Sequence, residues 1–507
     1  DTSDLWRAAY DVGDTPLEHS QFIQEMVSLW TNELLPLYTQ LHCFVRSKLN
    51  AHYHFDKSNL GDTPIPAHLL GNMWAQDWSA LYDLVEPFPP ATKQQEQLSL
   101  SEQLKIKVNN DPLKLVDLAL DFFRSLGFEE LPHSYWERSQ FVKPPAPRKV
   151  VCHASAWDTS FKQLDPRLKM CIHLDFDDFL TLLHENGHIF YYLSYFERPA
   201  LFRKGASPAF HEAIGDTLQL SVTESYIKDV LQLDISQDLP PFQKMINNLM
   251  LQALRKVAFL PFGLLIDLWR WNVFSRSSVE ASYNQDWWNL RYTYQGIVPP
   301  PGVERTQHHF DPGAKYHVVS NTPYIRYFGA HLLQFQFHKA LCIEAGFDIE
   351  NQPLYECSIA NNTAAGQKLK AMLSLGGSRS WKEALATITG SDSNNQLSAQ
   401  PLLEYFQPLM TWLKEQNKAS GQTCGWRKRH ALEKPIPSAW TVKAQGAQSS
   451  SLLWHIIAFS LLIAFVVIMV IVVIDFGCFM KKGNQGEAQA LQNLERNVTM
   501  VRYFRFP

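Results

Sequence analysis

The residues best suited to chemistry are His184-Glu185-Asn186-Gly187-His188. Two imidazoles four positions apart share one face of a helix, so both can bind one metal ion. Glu185 between them can reach a water on that ion and act as general base. A catalytic zinc needs a third protein ligand and keeps a fourth position open. The segment His211-Glu212-Ala213-Ile214-Gly215-Asp216 offers that ligand. Glu212 follows His188 by 24 residues, enough for a helix-loop-helix hairpin to bring it beside the pair. Asp216, one turn later on the same face, can orient a ligand histidine. The bland alternative is two surface histidines and a solvated helix carboxylate, because the five-residue pattern alone arises by chance in roughly a few per cent of chains this long.

These residues need helices to position them. The spacing predicts one from Asp178 to Tyr195, ended before Pro199, and another opening at Ser207-Pro208. Asp111-Pro112 and Thr322-Pro323 give the same start signal, and Gly127 ends the Asp111 helix. From Gln21 to Tyr53, apolar residues fall at helical spacing, with Pro36 as a kink. Alternating strand patterns are scarce, so the fold expected is mainly α. Residues 1–430 read as one helix-rich body and 431–451 as a flexible stalk ending in three serines. Leu452 to Ile474 is 23 residues without a charge, more than the roughly 20 needed to cross a bilayer. Lys481 and Lys482 follow it closely, whereas only Lys443 closely precedes it. The positive-inside rule then leaves residues 475–507 as a cytoplasmic tail. This is the topology of a single-pass type I membrane protein.

Composition narrows the classes further. The chain has 507 residues, 46% hydrophobic and 19% charged, with 15 Trp, 18 Tyr and 31 Phe, which excludes a disordered chain. A net charge of -4 without a dominant basic block argues against nucleic acid as partner. Among seven cysteines, Cys152 with Cys171 and Cys342 with Cys357 form close pairs that suit disulfides, the alternative being unpaired core thiols. The sequon Asn361-Asn362-Thr363 beside the second pair agrees with a secreted face. Cys478, just past the apolar stretch, is either an acylation site or a free thiol.

Together, His184 to His188 and His211 to Asp216 resemble the paired zinc motifs of the angiotensin-converting-enzyme family. The similarity runs from about Trp6 to Trp426. It includes the stretch from Pro64 to Gln76, Cys152-His153-Ala154-Ser155-Ala156-Trp157-Asp158, and Phe310-Asp311-Pro312-Gly313-Ala314-Lys315. The resemblance implies a large, two-lobed helical peptidase with a deep central groove. It implies that His184, His188 and Glu212 bind one zinc ion, that Glu185 activates the water, and that Asp216 supports a ligand histidine. Gln76, Lys315 and Tyr324 would hold the substrate's C-terminal carboxylate. His153 and His317 would bond the peptide backbone near the scissile bond, Ala154 and Ala156 would contact an extended peptide, and Tyr327 would stabilise the oxyanion. Arg326 with Tyr10 would form an activating chloride site, and Trp287 with Arg291 part of a second one. Both cysteine pairs match family disulfides.

Gln76 stands where the family's monocarboxypeptidase relative carries arginine, so the activity implied is release of C-terminal dipeptides from oligopeptides. The alternative is a catalytically silent member acting as a membrane-bound binding or adhesion protein. The family's long N-terminal helical lid, with an arginine ligand of the second chloride site, is not found ahead of Trp6, and lower stability and rate are expected without it. Asn186 replaces the family's usual methionine. The loop with Gly302, Val303 and Glu304 looks longer than usual, and the Cys152 to Cys171 interval is one residue longer.

Overall fold

Helix signals in the sequence become helices wherever an apolar face can be buried. In this computed structural model, residues 2–10, 16–54, 62–89, 98–235, 239–390 and 395–426 are described. The expected stalk, membrane span, tail and Cys478 lie outside them. The chain opens with α1 (Thr2–Ala8), α2 (Pro16–Ser28) and α3 (Leu35–Tyr53). It continues through α4 (Tyr82–Val85), α5 (Leu100–Lys107), α6 (Pro112–Ser125) and α7 (His133–Arg138). The centre is α8 (Phe176–Tyr195), α9 (Pro208–Leu220) and α10 (Pro241–Phe274). There follow α11 (Tyr283–Leu290), α12 (Tyr316–Val319), α13 (Ile325–Glu344), α14 (Thr363–Leu373), α15 (Trp381–Thr389), α16 (Gln400–Tyr405) and α17 (Gln407–Ala419). Two strand pairs are short: β1 (Ile65–Pro66) runs parallel to β4 (Ile297–Val298), and β2 (Ser155–Asp158) runs antiparallel to β3 (Pro166–Lys169). The fold is mainly α, as the sequence led one to expect.

Helix α6 shows how local signals work. The Asp111 side chain accepts from Leu113 N, Pro112 occupies the first turn, and the buried face is Leu115, Val116, Ala119, Leu120, Phe122 and Phe123. Two other expectations need correction. Residues 21–53 are not one kinked helix, because a π-helical segment, Leu29–Leu34, separates α2 from α3. Pro36 removes a donor and crowds the carbonyl one turn back, and a widened turn just before it relieves the crowding. Thr322 does not cap the helix that follows it. That helix begins at Ile325, and its leading amides are taken by Asp267 of α10.

The core runs through the middle of the chain. α10 is long and apolar enough to cross a membrane by length and composition, but 78% of its most apolar stretch is buried inside the body. Against it packs α13, which also lies along α9, and α9 packs on α8. Disulfides join Cys152 to Cys171 and Cys342 to Cys357, as the spacing suggested. A third, Cys43–Cys424, was not foreseen and links α3 to the segment after α17 across 381 positions. Closing so long a loop removes roughly 5–6 kcal/mol of unfolded-chain entropy on the chain-entropy estimate. Arg46, one turn after Cys43 and fully buried, donates to Thr63 O, Thr423 O and Gly425 O, while Trp426 packs on His42 and Tyr38.

Candidate active site

The metal motif begins at a cap. Asp175 accepts from Asp178 N, so α8 starts at Phe176, two residues before the expected start. From there, His184, Glu185 and His188 fall near the middle of the helix, where it meets α9. The two helices meet backbone to backbone. A Cβ at Gly187 would lie 2.7 Å from Gly215 N, and one at Gly215 would lie 2.2 Å from His184 Cα. Only glycine at both positions permits this approach, and it sets Glu212 and Asp216 beside the two histidines.

Glu212 Oε2 lies 3.7 Å from His184 Nε2 and 3.8 Å from His188 Nε2. Tetrahedral zinc with bonds of roughly 2.0–2.1 Å separates its ligand atoms by roughly 3.3 Å, so the set needs only a slight contraction. Each imidazole is also held from behind. His184 Nδ1 lies 2.9 Å from Asp216 Oδ1, whose other oxygen accepts from Lys256 Nζ at 2.9 Å. His188 Nδ1 lies 3.2 Å from His211 Nδ1. Both Nε2 atoms therefore remain for a metal, and a two-histidine, one-carboxylate donor set suits zinc. A second cluster, His338 with Cys342 and Cys357, is no metal site, because its two sulfurs are joined in a disulfide.

Electrostatics fit the same roles. Burial pushes Glu212 up, but the His184 hydrogen bond and the nearby positive charges more than offset this and hold it at about 2. Asp216 is also held well below the usual carboxylate range, chiefly by Lys256 and His184 acting against burial. Burial and the charge on His184 push His188 down to about 4. Burial raises the pKa of Glu185, as suits a group that must accept a proton. Asn186 is buried yet satisfied. It accepts from Tyr135 Oη at 2.8 Å and donates to Leu182 O at 2.8 Å.

The remaining candidates come from distant segments. Lys315 Nζ donates to Gln76 Oε1 at 2.8 Å and lies 4.6 Å from the Trp74 ring centre and 5.5 Å from that of Tyr324. His317 Nε2 lies 3.1 Å from Tyr327 Oη, and the Tyr324 and Tyr327 rings are 4.8 Å apart. His153, exposed, is close enough to His317 to influence its titration. Ala154 precedes β2 and Ala156 lies within it, with the Ala156 amide beside Glu185. Asn361 is exposed, as a glycan acceptor must be.

Tyr10 lies against Arg326, and neither the buried Tyr10 Oη nor the buried Arg326 Nε makes a well-formed hydrogen bond among the described residues. Trp287 Nε1 is likewise unpartnered, and its ring lies 5.7 Å from the buried Arg291 guanidinium. Arg291 has no carboxylate partner among the described residues, and burial lowers it to about 9. Orphaned buried donors beside cations are what an anion site requires. Sequence reasoning missed His211 and Lys256 as supports for the metal ligands. His211 adjoins Glu212 inside a quoted motif; Lys256 carries no local signal at all.

A helical body brings two imidazoles and a carboxylate together, each imidazole braced from behind, in an arrangement that could hold a metal ion. Residues 1–426 match the family described as angiotensin-converting enzyme. Angiotensin-converting enzyme of Sus scrofa is 45% identical over 427 residues, covering 84% of this chain and 31% of that protein. Angiotensin-converting enzyme of Theromyzon tessulatum is 44% identical over 435 residues, 84% of this chain and 66% of its own length. The angiotensin-converting enzyme-like protein Ace3 of Mus musculus is 40% identical over 426 residues, 84% of this chain and 54% of its own length. The chain belongs to the angiotensin-converting-enzyme family, a family of metallopeptidases, and spans about a third of the length of mammalian relatives it matches.

Proposed function

We propose that this chain is a zinc-dependent peptidyl-dipeptidase that releases C-terminal dipeptides from oligopeptides. The observation that carries this reading is the convergence of His184, His188 and Glu212 beside Glu185, with Lys315, Gln76 and Tyr324 grouped as a carboxylate receptor. Zinc held by the three ligands would polarise the scissile carbonyl and lower the pKa of a water. Glu185 takes a proton from that water as its oxygen bonds to the carbonyl carbon. It then delivers the proton to the leaving nitrogen as the C–N bond breaks. Tyr327 and His317 stand within hydrogen-bond distance of each other, so a Tyr327 hydroxyl that accepts from His317 Nε2 keeps its own proton to donate to the developing oxyanion. His153 and the edge of β2, with Ala154 and Ala156, offer contacts to an extended peptide backbone. Tyr10 with Arg326, and Trp287 with Arg291, would take chloride. The reading includes a glycan on Asn361 and a body displayed outside the cytosol on the apolar stretch 452–474.

The purified chain should take up one zinc ion and release dipeptides from an unblocked peptide, as read by metal analysis and mass spectrometry of products. Amidating the peptide's C-terminus should slow cleavage sharply. Single-residue trimming would overturn the reading of Gln76. A folded chain that takes up no zinc would overturn the whole assignment.

The receptor makes a pH prediction. Burial lowers the Lys315 ammonium to about 8. A depressed lysine is charged below that value and loses its charge as pH rises through it. In the free enzyme, kcat/KM for a peptide with a free carboxylate should therefore fall above about pH 8, approaching tenfold per unit. The amidated peptide should lack this decline. Identical profiles for the two peptides would remove Lys315 from carboxylate binding.

A further inference from the structure

Much of the proposed machinery hangs on one stretch of backbone. His317 lies in α12, Tyr324 precedes α13, and Tyr327 lies in the first turn of α13. Residues 320–324 between the helices are a loop that is half-buried apart from the exposed Asn321 and the buried Tyr324, and its backbone groups need partners where water is shut out. Carbonyls of α12 take three of the loop's amides, with Ser320 N donating to Tyr316 O at 2.8 Å, Asn321 N to Val318 O at 3.3 Å and Thr322 N to His317 O at 2.9 Å.

A buried pair on α10 supplies partners at both ends of the stretch. Arg270 donates to His317 O at 3.1 Å, to Thr322 O at 2.6 Å and to Asp267 Oδ1 at 2.8 Å. The other oxygen of Asp267 accepts from Tyr324 N and Ile325 N, both at 2.7 Å. The carboxylate thus caps α13 from another helix, while the guanidinium ties the end of α12 to the loop. Trp6 of α1 stacks over the Arg270 guanidinium at 4.6 Å and covers it. A buried ion pair does little for stability compared with apolar packing. Here its hydrogen bonds run to a segment that lies between His317 and Tyr327 and includes Tyr324.

The geometry points to Asp267 and Arg270 as positioning residues: a two-residue clamp on α10 that sets His317 against Tyr327 by holding the backbone between them at both ends. The clamp's effect on rate rests on the peptidase reading; its effect on the backbone does not.

Arg270→Lys tests it. Lysine keeps the charge opposite Asp267 but, lacking the fork, cannot hold both carbonyls in the same geometry. The variant should load zinc fully, because α8 and α9 carry the ligands. Its kcat should fall about 10- to 100-fold, the cost of a misplacement near 1 Å, with KM little changed. Hydrogen–deuterium exchange should rise across residues 315–327 and stay unchanged across 184–216. In a His317→Ala/Tyr327→Phe background, Arg270→Lys should cost less than about twofold more, since the groups it positions are gone. Unchanged exchange across 315–327, or a rate loss undiminished in that background, would overturn the clamp. Should Arg270→Lys fail to fold, Asp267→Asn keeps the size of the side chain but removes the charge that takes both the Arg270 guanidinium and the Tyr324 and Ile325 amides. Raised exchange confined to 315–327 would then support the proposal, and unchanged exchange would overturn it. If the wild-type chain cleaves no peptide, the peptidase reading fails and the exchange measurement still decides the clamp.

Discussion

Replacing Gly215 with alanine should leave the protein unable to hold zinc tightly. The added Cβ would stand 2.2 Å from His184 Cα and 2.5 Å from His184 O. Ordinary carbon contacts are about 3.5–4.0 Å, so α8 and α9 must separate by more than about 1 Å. A ligand set works only when held within about 0.5 Å of its productive geometry. Glu212 would be carried away from both histidines, and Asp216 from His184. Zinc affinity, measured by competition with a chromophoric chelator, should fall by about 100-fold, the upper end of what losing groups that support a metal ligand costs. Gly187→Ala should act in the same direction but less severely, because its Cβ would meet Gly215 N at 2.7 Å. Wild-type affinity in the Gly215 variant would show that the ligands are not set by this helix contact.

Glu185→Gln should separate chemistry from metal binding. Glu185 is not among the three ligands, and glutamine fills the same space, so zinc content and thermal unfolding should match wild type. An amide cannot accept the proton from water, and general-base catalysis is typically worth 10²- to 10⁴-fold. A fall of about 10³-fold in kcat is expected, read with one dipeptide-releasing peptide under zinc saturation. Retention of more than about a tenth of the rate would assign the base elsewhere. Loss of zinc would mean that Glu185 holds the site together.

The metal motif was legible because it is local. An i, i+4 histidine pair on an amphipathic helix announces its own geometry. The second motif was legible once the two helices were joined by a short loop. The supports were not, because they come from positions with no periodic relation to the motif. Lys256 reaches Asp216 from the middle of an apolar helix, and Tyr135 reaches Asn186 from 51 residues away. Asn186, noted in the sequence only as a departure from the family's methionine, is a satisfied tie between α7 and α8. The start of α13 was misread for the same reason: the cap that decides it sits on α10. Local signals such as Asp111-Pro112 set helix ends, but a cap supplied from another helix leaves no trace in the neighbouring sequence. Counting cysteines could have exposed the third disulfide. With Cys478 set apart and two close pairs assigned, Cys43 and Cys424 were the two that remained.

That third bridge has a mechanical consequence. Cys43–Cys424 closes the chain into a covalent ring that contains the metal motifs, and the segment leaving it is gripped by Arg46 at the carbonyls of Thr423 and Gly425. Tension applied to the chain beyond Trp426 therefore enters the body at α3. It passes into a helix anchored in the core instead of peeling α17 away from its end. The 380 or so residues inside the ring do not lie in series with the load. The metal-binding helices α8 and α9 can be held in place by a body that is being pulled, and the force they feel is set by α3.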